Sequence, residues 1–227
     1  MNMIGLQHPY ISLELQRNMS YGGGQQFSKS AMIRRCGCGV IAAADALIYL
    51  SRWHTNGAVD YFAGLLEDRP IPLSTYDRCI QNLSREYFPM IPYAGINGVM
   101  LMAGMEFFFR RHGMPYTARW CILHEKLWDR VKDMLCADIP VIMSAGPNFP
   151  MIWGERRVRF FVRNPAGHYI PASAAKAHYF TITGLENDWL RISSWGRLYY
   201  LSREEFEEYV RRYSTSIASN ILLIQRK

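Results

Sequence analysis

At 227 residues with 49% hydrophobic content, the chain can bury one core and carries nothing that demands a second, so a single domain over residues 1–227 is expected. No run of membrane-spanning length is free of charge, and no basic stretch leads into an apolar one at the start. Neither a spanning helix nor a secretory signal is therefore expected, and a cytoplasmic chain with no membrane partner is the expectation. The formal charge of +7 is spread over the pairs Arg34-Arg35, Arg110-Arg111, Arg156-Arg157 and Arg211-Arg212, which read as solvated edges and not as a nucleic-acid surface. Five cysteines without the spacing of a disulfide framework point to a reducing compartment.

Residues 1–30 read as an N-terminal arm and a Gly-rich crossing segment. Ile11, Leu13 and Leu15 alternate briefly, as a strand or an arm lying on the domain, and Gly22-Gly23-Gly24 reads as a flexible break. Between residues 40 and 50 the only charge is Asp45, as expected of a helix surrounded by protein. Thr55-Asn56-Gly57 is a turn, and residues 59–66 form a short helix ended by Pro70 and Pro72. Ser74 with Asp77 predicts a capping box for a helix whose Tyr76, Cys79, Ile80, Leu83 and Tyr87 share one face. Residues 96–112 form a helix with a basic last turn, stopped by Gly113, and residues 123–135 trace the face of another. From Pro140 the pattern turns to β, at 141–143, 158–162, a hairpin opening at His178, 197–201 and 221–224, with a helix capped by Ser202 and Glu205 running through Tyr213. Residues 144–177, rich in Pro, aromatics and Arg, read as an insertion, equally a flap or hairpin near a cleft and a surface excursion. Helices first and antiparallel strands later give an α+β domain.

The chemistry concentrates at Arg35-Cys36-Gly37-Cys38-Gly39, where a cysteine between two glycines opens the apolar helix. The glycines permit a sharp turn and leave the thiol uncrowded. The unpaired N–H groups of the first turn present positive potential at the sulfur, which lowers a thiol pKa and supplies donors for an oxyanion. The base such a thiol needs is His178, at the head of an alternating β-rich run; pairing that run with Trp189-Leu190-Arg191-Ile192-Ser193-Ser194 brings His178 opposite Ser193 or Ser194. His168 is the rival base, if the 144–177 insertion carries it to the sulfur. Cys36 competes with Cys38 as half of a redox pair or a metal site, but no second Cys/His pair stands at ligand spacing, so no metal or cofactor is expected.

Gly37-Cys38-Gly39 opening an alanine-rich helix, the strand-initial His178 and Ser193-Ser194-Trp195-Gly196 together resemble the papain-like cysteine peptidases, in the branch similar to the bacteriocin-leader (double-glycine) peptidases. The resemblance implies a helical N-terminal lobe, with a buried nucleophile helix, packed on an antiparallel β-sheet lobe. It further implies Cys38 as nucleophile, His178 as base, and a peptide or protein as substrate. Two positions depart from the family pattern. The Gln expected six residues before the nucleophile is Met32, and the Asn or Asp that orients the imidazole is Ser193. Gln25 supplies the missing oxyanion donor if its loop folds back. Two functions follow: a cysteine peptidase or related thiol hydrolase, favoured by Cys38 and His178, and a catalytically inactive module binding a peptide or protein in the same cleft, favoured by Met32 and Ser193.

Overall fold

The apolar segment around Asp45 becomes the helix on which the rest of the chain packs. In the computed structural model, which describes residues 3–16, 18–55, 59–67, 70–120 and 122–227, the elements in chain order are β1 (Met3–Gly5), β2 (Leu13–Glu14), α1 (Ala31–Cys36), α2 (Cys38–His54), β3 (Ile71–Pro72), α3 (Leu73–Glu86), α4 (Gly98–Arg111), β4 (Tyr116–Trp120), α5 (Leu127–Cys136), β5 (Val141–Ala145), β6 (Val158–Arg163), β7 (Tyr169–Ala175), β8 (His178–Glu186), β9 (Trp189–Ser194), β10 (Arg197–Ser202), α6 (Arg203–Tyr213) and β11 (Ile221–Arg226). Every residue of α2 from Gly39 to Ser51 is buried, because α3 and α4 lie against it on the helical side and β5 and β8 on the other. A fully buried aliphatic side chain contributes about 1.5–3 kcal/mol, so surroundings more than propensity hold this helix.

The strands form one antiparallel sheet in the order β4-β11-β5-β8-β9-β10-β6-β7, with β1 alongside β8, while β2 and β3 make a separate parallel pair. The α+β arrangement is as expected: a helical N-terminal half packed on an antiparallel sheet built mostly from the C-terminal half. The arm contributes to that sheet, since β1 pairs with β8 from Met3↔Glu186 to Gly5↔Gly184, past the stretch where β5 pairs from Val141↔Ile182 to Ala145↔His178. Strand β8 lies against both α2 and α5, and His178 to Leu185 are all buried, the polar Thr181 and Thr183 included.

Several local expectations change. The helix at 59–66 is a single 3-10 turn, Asp60–Phe62, broken where Gly64 takes a φ of 81°. Ser74 and Asp77 make no capping box: α3 starts at Leu73, and Asp77 is drawn into the core, where it accepts from Ser28 Oγ at 2.6 Å and from the Lys29 N–H. Ser202 does cap α6, accepting from the Glu205 N–H at 3.4 Å. Asn56 and Gly57 of the expected turn lie outside the described residues. Within 144–177, β6 and β7 form a hairpin joined to the main sheet at Tyr200↔Phe161, and Phe160 is buried against Phe180, Trp195 and Tyr199. That hairpin is part of the sheet, and both its tip and the loop between β5 and β6 are exposed.

Candidate active site

Gly37 ends α1 and begins α2 at one residue: its N–H donates to Ile33 O at 2.8 Å and its own carbonyl accepts from the Ile41 N–H at 3.0 Å. A Cβ there would lie 2.6 Å from Ile33 O, and one at Gly39 would lie 2.4 Å from Ile96 Cγ2, so both glycines are required by close approach. Cys38 is thereby held as the first residue of α2, half-buried, among the unpaired N–H groups of the first turn. The expectation of a lowered thiol pKa is corrected: burial pushes the Cys38 thiol up, and the N–H groups of Tyr179, Gly39 and Cys38 itself pull it back only in part.

His178 opens β8, buried, with its ring stacked on Trp195 at 4.4 Å between centroids and 19° between planes. Its Nε2 lies 2.8 Å from Ser194 Oγ. Register explains why Ser194 and not Ser193 meets the ring. Ser193 pairs with Thr181 across β8 and β9, so Ser194 falls on the sheet face of Phe180 and His178, diagonal to the imidazole, while Ser193 faces the other way. Ser193 Oγ donates instead to Tyr21 O at 2.8 Å. The two-residue turn after β9 has Trp195 at φ 50° and Gly196 at φ 70°, a left-handed pair in which an indole costs about 1–2 kcal/mol and which lays that indole over the imidazole. Burial alone pushes the His178 pKa down to about 4.

The Gly-rich crossing segment is no flexible break. Gly22, Gly23 and Gly24 are buried, Tyr21 N–H donates to Gly196 O and Gly196 N–H to Gly23 O, so the segment bridges from α2 to the β9–β10 turn. Asp45 anchors it. The carboxylate accepts from Gly23 N–H at 2.8 Å, Tyr76 OH at 2.6 Å and Tyr10 OH at 3.2 Å. Burial pushes its pKa up to about 6 against these three donors. A Cβ on Gly23 would sit 1.9 Å from Tyr76 Oη and 2.9 Å from Asp45 Oδ1, whereas Gly64, at φ 81°, has open space around it. Gly23→Ala is therefore expected to cost about 2–3 kcal/mol in urea unfolding, against about 1 kcal/mol for Gly64→Ala; equal costs would mean that the crossing segment yields freely.

Cys38, His178, Ser193, Ser194, Trp195, Asp45 and Gln25 line one narrow pocket with free volume of about 20 Å³, room for little more than a water molecule. Gln25 reaches this lining from the crossing segment. One amide N–H donates to Arg34 O at 2.9 Å, and Oε1 is buried without a partner, leaving an N–H and an acceptor for a bound group. Met32, six residues before Cys38, lies on α1, partly exposed and outside the pocket lining. Cys36 Sγ donates to Met32 O. His168 is exposed at the tip of the β6–β7 hairpin and does not line the pocket, while His8 and His54 contact Asp138 and His112 contacts Tyr87. Among the described residues no three His, Cys, Asp or Glu side chains converge as a metal site, and no helix is long and apolar enough to cross a membrane. Asp45 is the site residue that the sequence reading left without a role. Its signal was a lone carboxylate in an apolar helix, seven residues and two turns from Cys38 on the same face.

No protein-family model matches the chain, and no curated protein matches it. Among solved structures it is similar to a "putative C39-like peptidase from Bacillus anthracis", at 14% identity over 100% of each chain and a TM-score of 0.49.

Proposed function

We propose that this chain is a papain-like cysteine hydrolase that cleaves a peptide bond, with Cys38 as nucleophile and His178 as base. The observation that carries the reading is a thiol at the first residue of α2 sharing one pocket with an imidazole whose Nε2 meets Ser194 and whose face rests on Trp195. With Nε2–H donating to Ser194 Oγ, Nδ1 is the basic nitrogen. It takes the thiol proton as sulfur adds to the scissile carbonyl carbon, and the first-turn N–H groups with the free Gln25 N–H hold the oxyanion. The imidazolium gives that proton to the amine as the C–N bond breaks, leaving a thioester on Cys38. Water, deprotonated by the same nitrogen, then releases the acid and restores the thiol.

One observation favours the second reading, a cleft that binds a peptide without cutting it. Burial moves the thiol up and the imidazole down, so the free protein holds a neutral pair and no thiolate–imidazolium pair. Iodoacetamide separates the two readings, with the exposed Cys136 as a control in the same molecule. Alkylation of Cys38 faster than that of Cys136 at pH 7, followed by peptide mass mapping, is the expected result for the hydrolase; labelling no faster than Cys136 selects the binding module. Within the hydrolase, Ser194→Ala is expected to slow Cys38 labelling about tenfold. Ser193→Ala leaves the rate within about twofold and costs about 1 kcal/mol of stability through the lost bond to Tyr21 O. The reverse pattern would return the orienting role to Ser193.

A further inference from the structure

The loop between β5 and β6 carries five successive exposed residues, Phe149, Pro150, Met151, Ile152 and Trp153, with Phe149 57%, Met151 58%, Ile152 68% and Trp153 73% exposed. Loops that face water are ordinarily polar, and an apolar patch of this kind marks an interaction site. Nor is this a slack excursion. Asn148, 4% exposed, clamps both stems: its Nδ2 donates to Arg156 O at 3.0 Å and Tyr209 OH at 3.2 Å, and its Oδ1 accepts from the Arg156 N–H at 3.0 Å. Phe149 N–H donates to Tyr213 O and Gly154 N–H to Met151 O, so the tip is a closed, convex finger standing against the end of α6.

Five cations lie on the segments that meet at its base. Arg156 and Arg157 follow the finger, Lys176 donates to Gly154 O, and Arg211 and Arg212 occupy the last turn of α6, whose Tyr213 carries the Arg156 guanidinium over its ring at 5.4 Å. Glu155 pairs with Arg157 and Lys176, and Glu208 with Arg212; Arg156 and Arg211 have no carboxylate partner among the described residues. Two acids against five cations leave the base positive. A protein partner for a convex apolar finger must offer a matching cavity, whereas a bilayer needs none, and a positive base suits anionic headgroups. Trp153 has the amphipathic ring that settles at a lipid–water boundary.

We propose that residues 149–153 are a membrane-docking finger that enters the interfacial layer of an anionic bilayer while the arginines around its base bind lipid headgroups. The sequence expectation of no membrane partner rested on spanning runs, and a five-residue finger forms none. Gly146 follows directly on Ala145, which pairs with His178, so docking would hold the candidate site close to the lipid surface.

The test is flotation of the full chain with vesicles of phosphatidylcholine alone or with 30% phosphatidylglycerol. Binding about tenfold stronger to the anionic vesicles, weakened in 0.5 M salt and lost about tenfold in the double variant Ile152→Asp/Trp153→Asp, is the expected result. Equal binding to both vesicles, or undiminished binding by the double variant, would overturn it. So would a dimer seen in sedimentation velocity that the double variant abolishes while the wild type ignores vesicles, since a second copy would then cover the finger. Both substituted residues are exposed and lie outside the thiol pocket. Cys38 alkylation in the same samples therefore reports on the hydrolase reading separately, and either proposal can fail alone.

Discussion

His178→Ala is expected to slow alkylation of Cys38 at pH 7 about a hundredfold or more, taking it below the rate of the exposed Cys136. The reason is the state of the thiol. Burial holds its pKa above the ordinary value, so few molecules carry a thiolate at neutral pH, and the first-turn N–H groups do not reverse the balance. Rapid reaction then requires that the proton leave as the bond to sulfur forms, and a positioned general base contributes about 10²–10⁴ to such a step. His178 is placed for that role because Ser194 on Nε2 and Trp195 on the ring face leave it one free nitrogen, which is unprotonated at pH 7. A wild-type rate that the substitution leaves unchanged would remove the base from the mechanism. Cys136 labelling and urea unfolding of the same variant show whether its fold is intact.

The pair itself was legible because each member carries a local signal that packing does not disturb. Gly37-Cys38-Gly39 sits before an apolar run, and His178 stands at the head of a strand. What brings them together is long-range and left only partial traces. Ser193 and Ser194 look alike as neighbours in a strand; only the Thr181↔Ser193 pairing decides which hydroxyl shares a face with the imidazole, and one step of register exchanges them. Gly22-Gly23-Gly24 suggested flexibility because three glycines lose the most chain entropy on ordering. Their use here is close approach, to Asp45, Tyr76 and Ser193, and those contacts are set by residues far along the chain. The pKa direction was misread for a related reason: a helix terminus contributes at most about 2 kcal/mol, and burial of the whole pocket, invisible in Gly37-Cys38-Gly39, outweighs it. Strand β7 was missed because Tyr169-Ile170-Pro171-Ala172-Ser173-Ala174-Ala175 is poor in strand formers and owes its conformation to pairing with β6.

Asp45 and His178 line the same pocket and are expected to give the protein opposite responses to pH. Asp45 has a folded pKa of about 6 against an ordinary 3.8, so the folded state keeps a proton that the unfolded chain releases. Its contribution to stability is fully present below pH 3.8 and is lost as pH rises through about 6. His178 has a folded pKa of about 4 against an ordinary 6.5, so the unfolded chain gains a proton that the folded state refuses. Its contribution is present above pH 6.5 and is lost as pH falls toward about 4. Each amounts to about 3 kcal/mol across its window, and between pH 4 and 6 the two cancel. Removing either carboxylate or imidazole uncovers the other. Relative to wild type, Asp45→Asn is expected to grow more stable from pH 4 to pH 6, by about 1.4 kcal/mol per unit, and His178→Gln to grow less stable by a similar amount. Urea midpoints measured at half-unit steps decide it; parallel curves for the two variants would mean that the buried groups do not titrate as opposites. The double variant should track the wild-type slope, and a departure from additivity measures how strongly the ionised Asp45 and the base sense each other across the pocket.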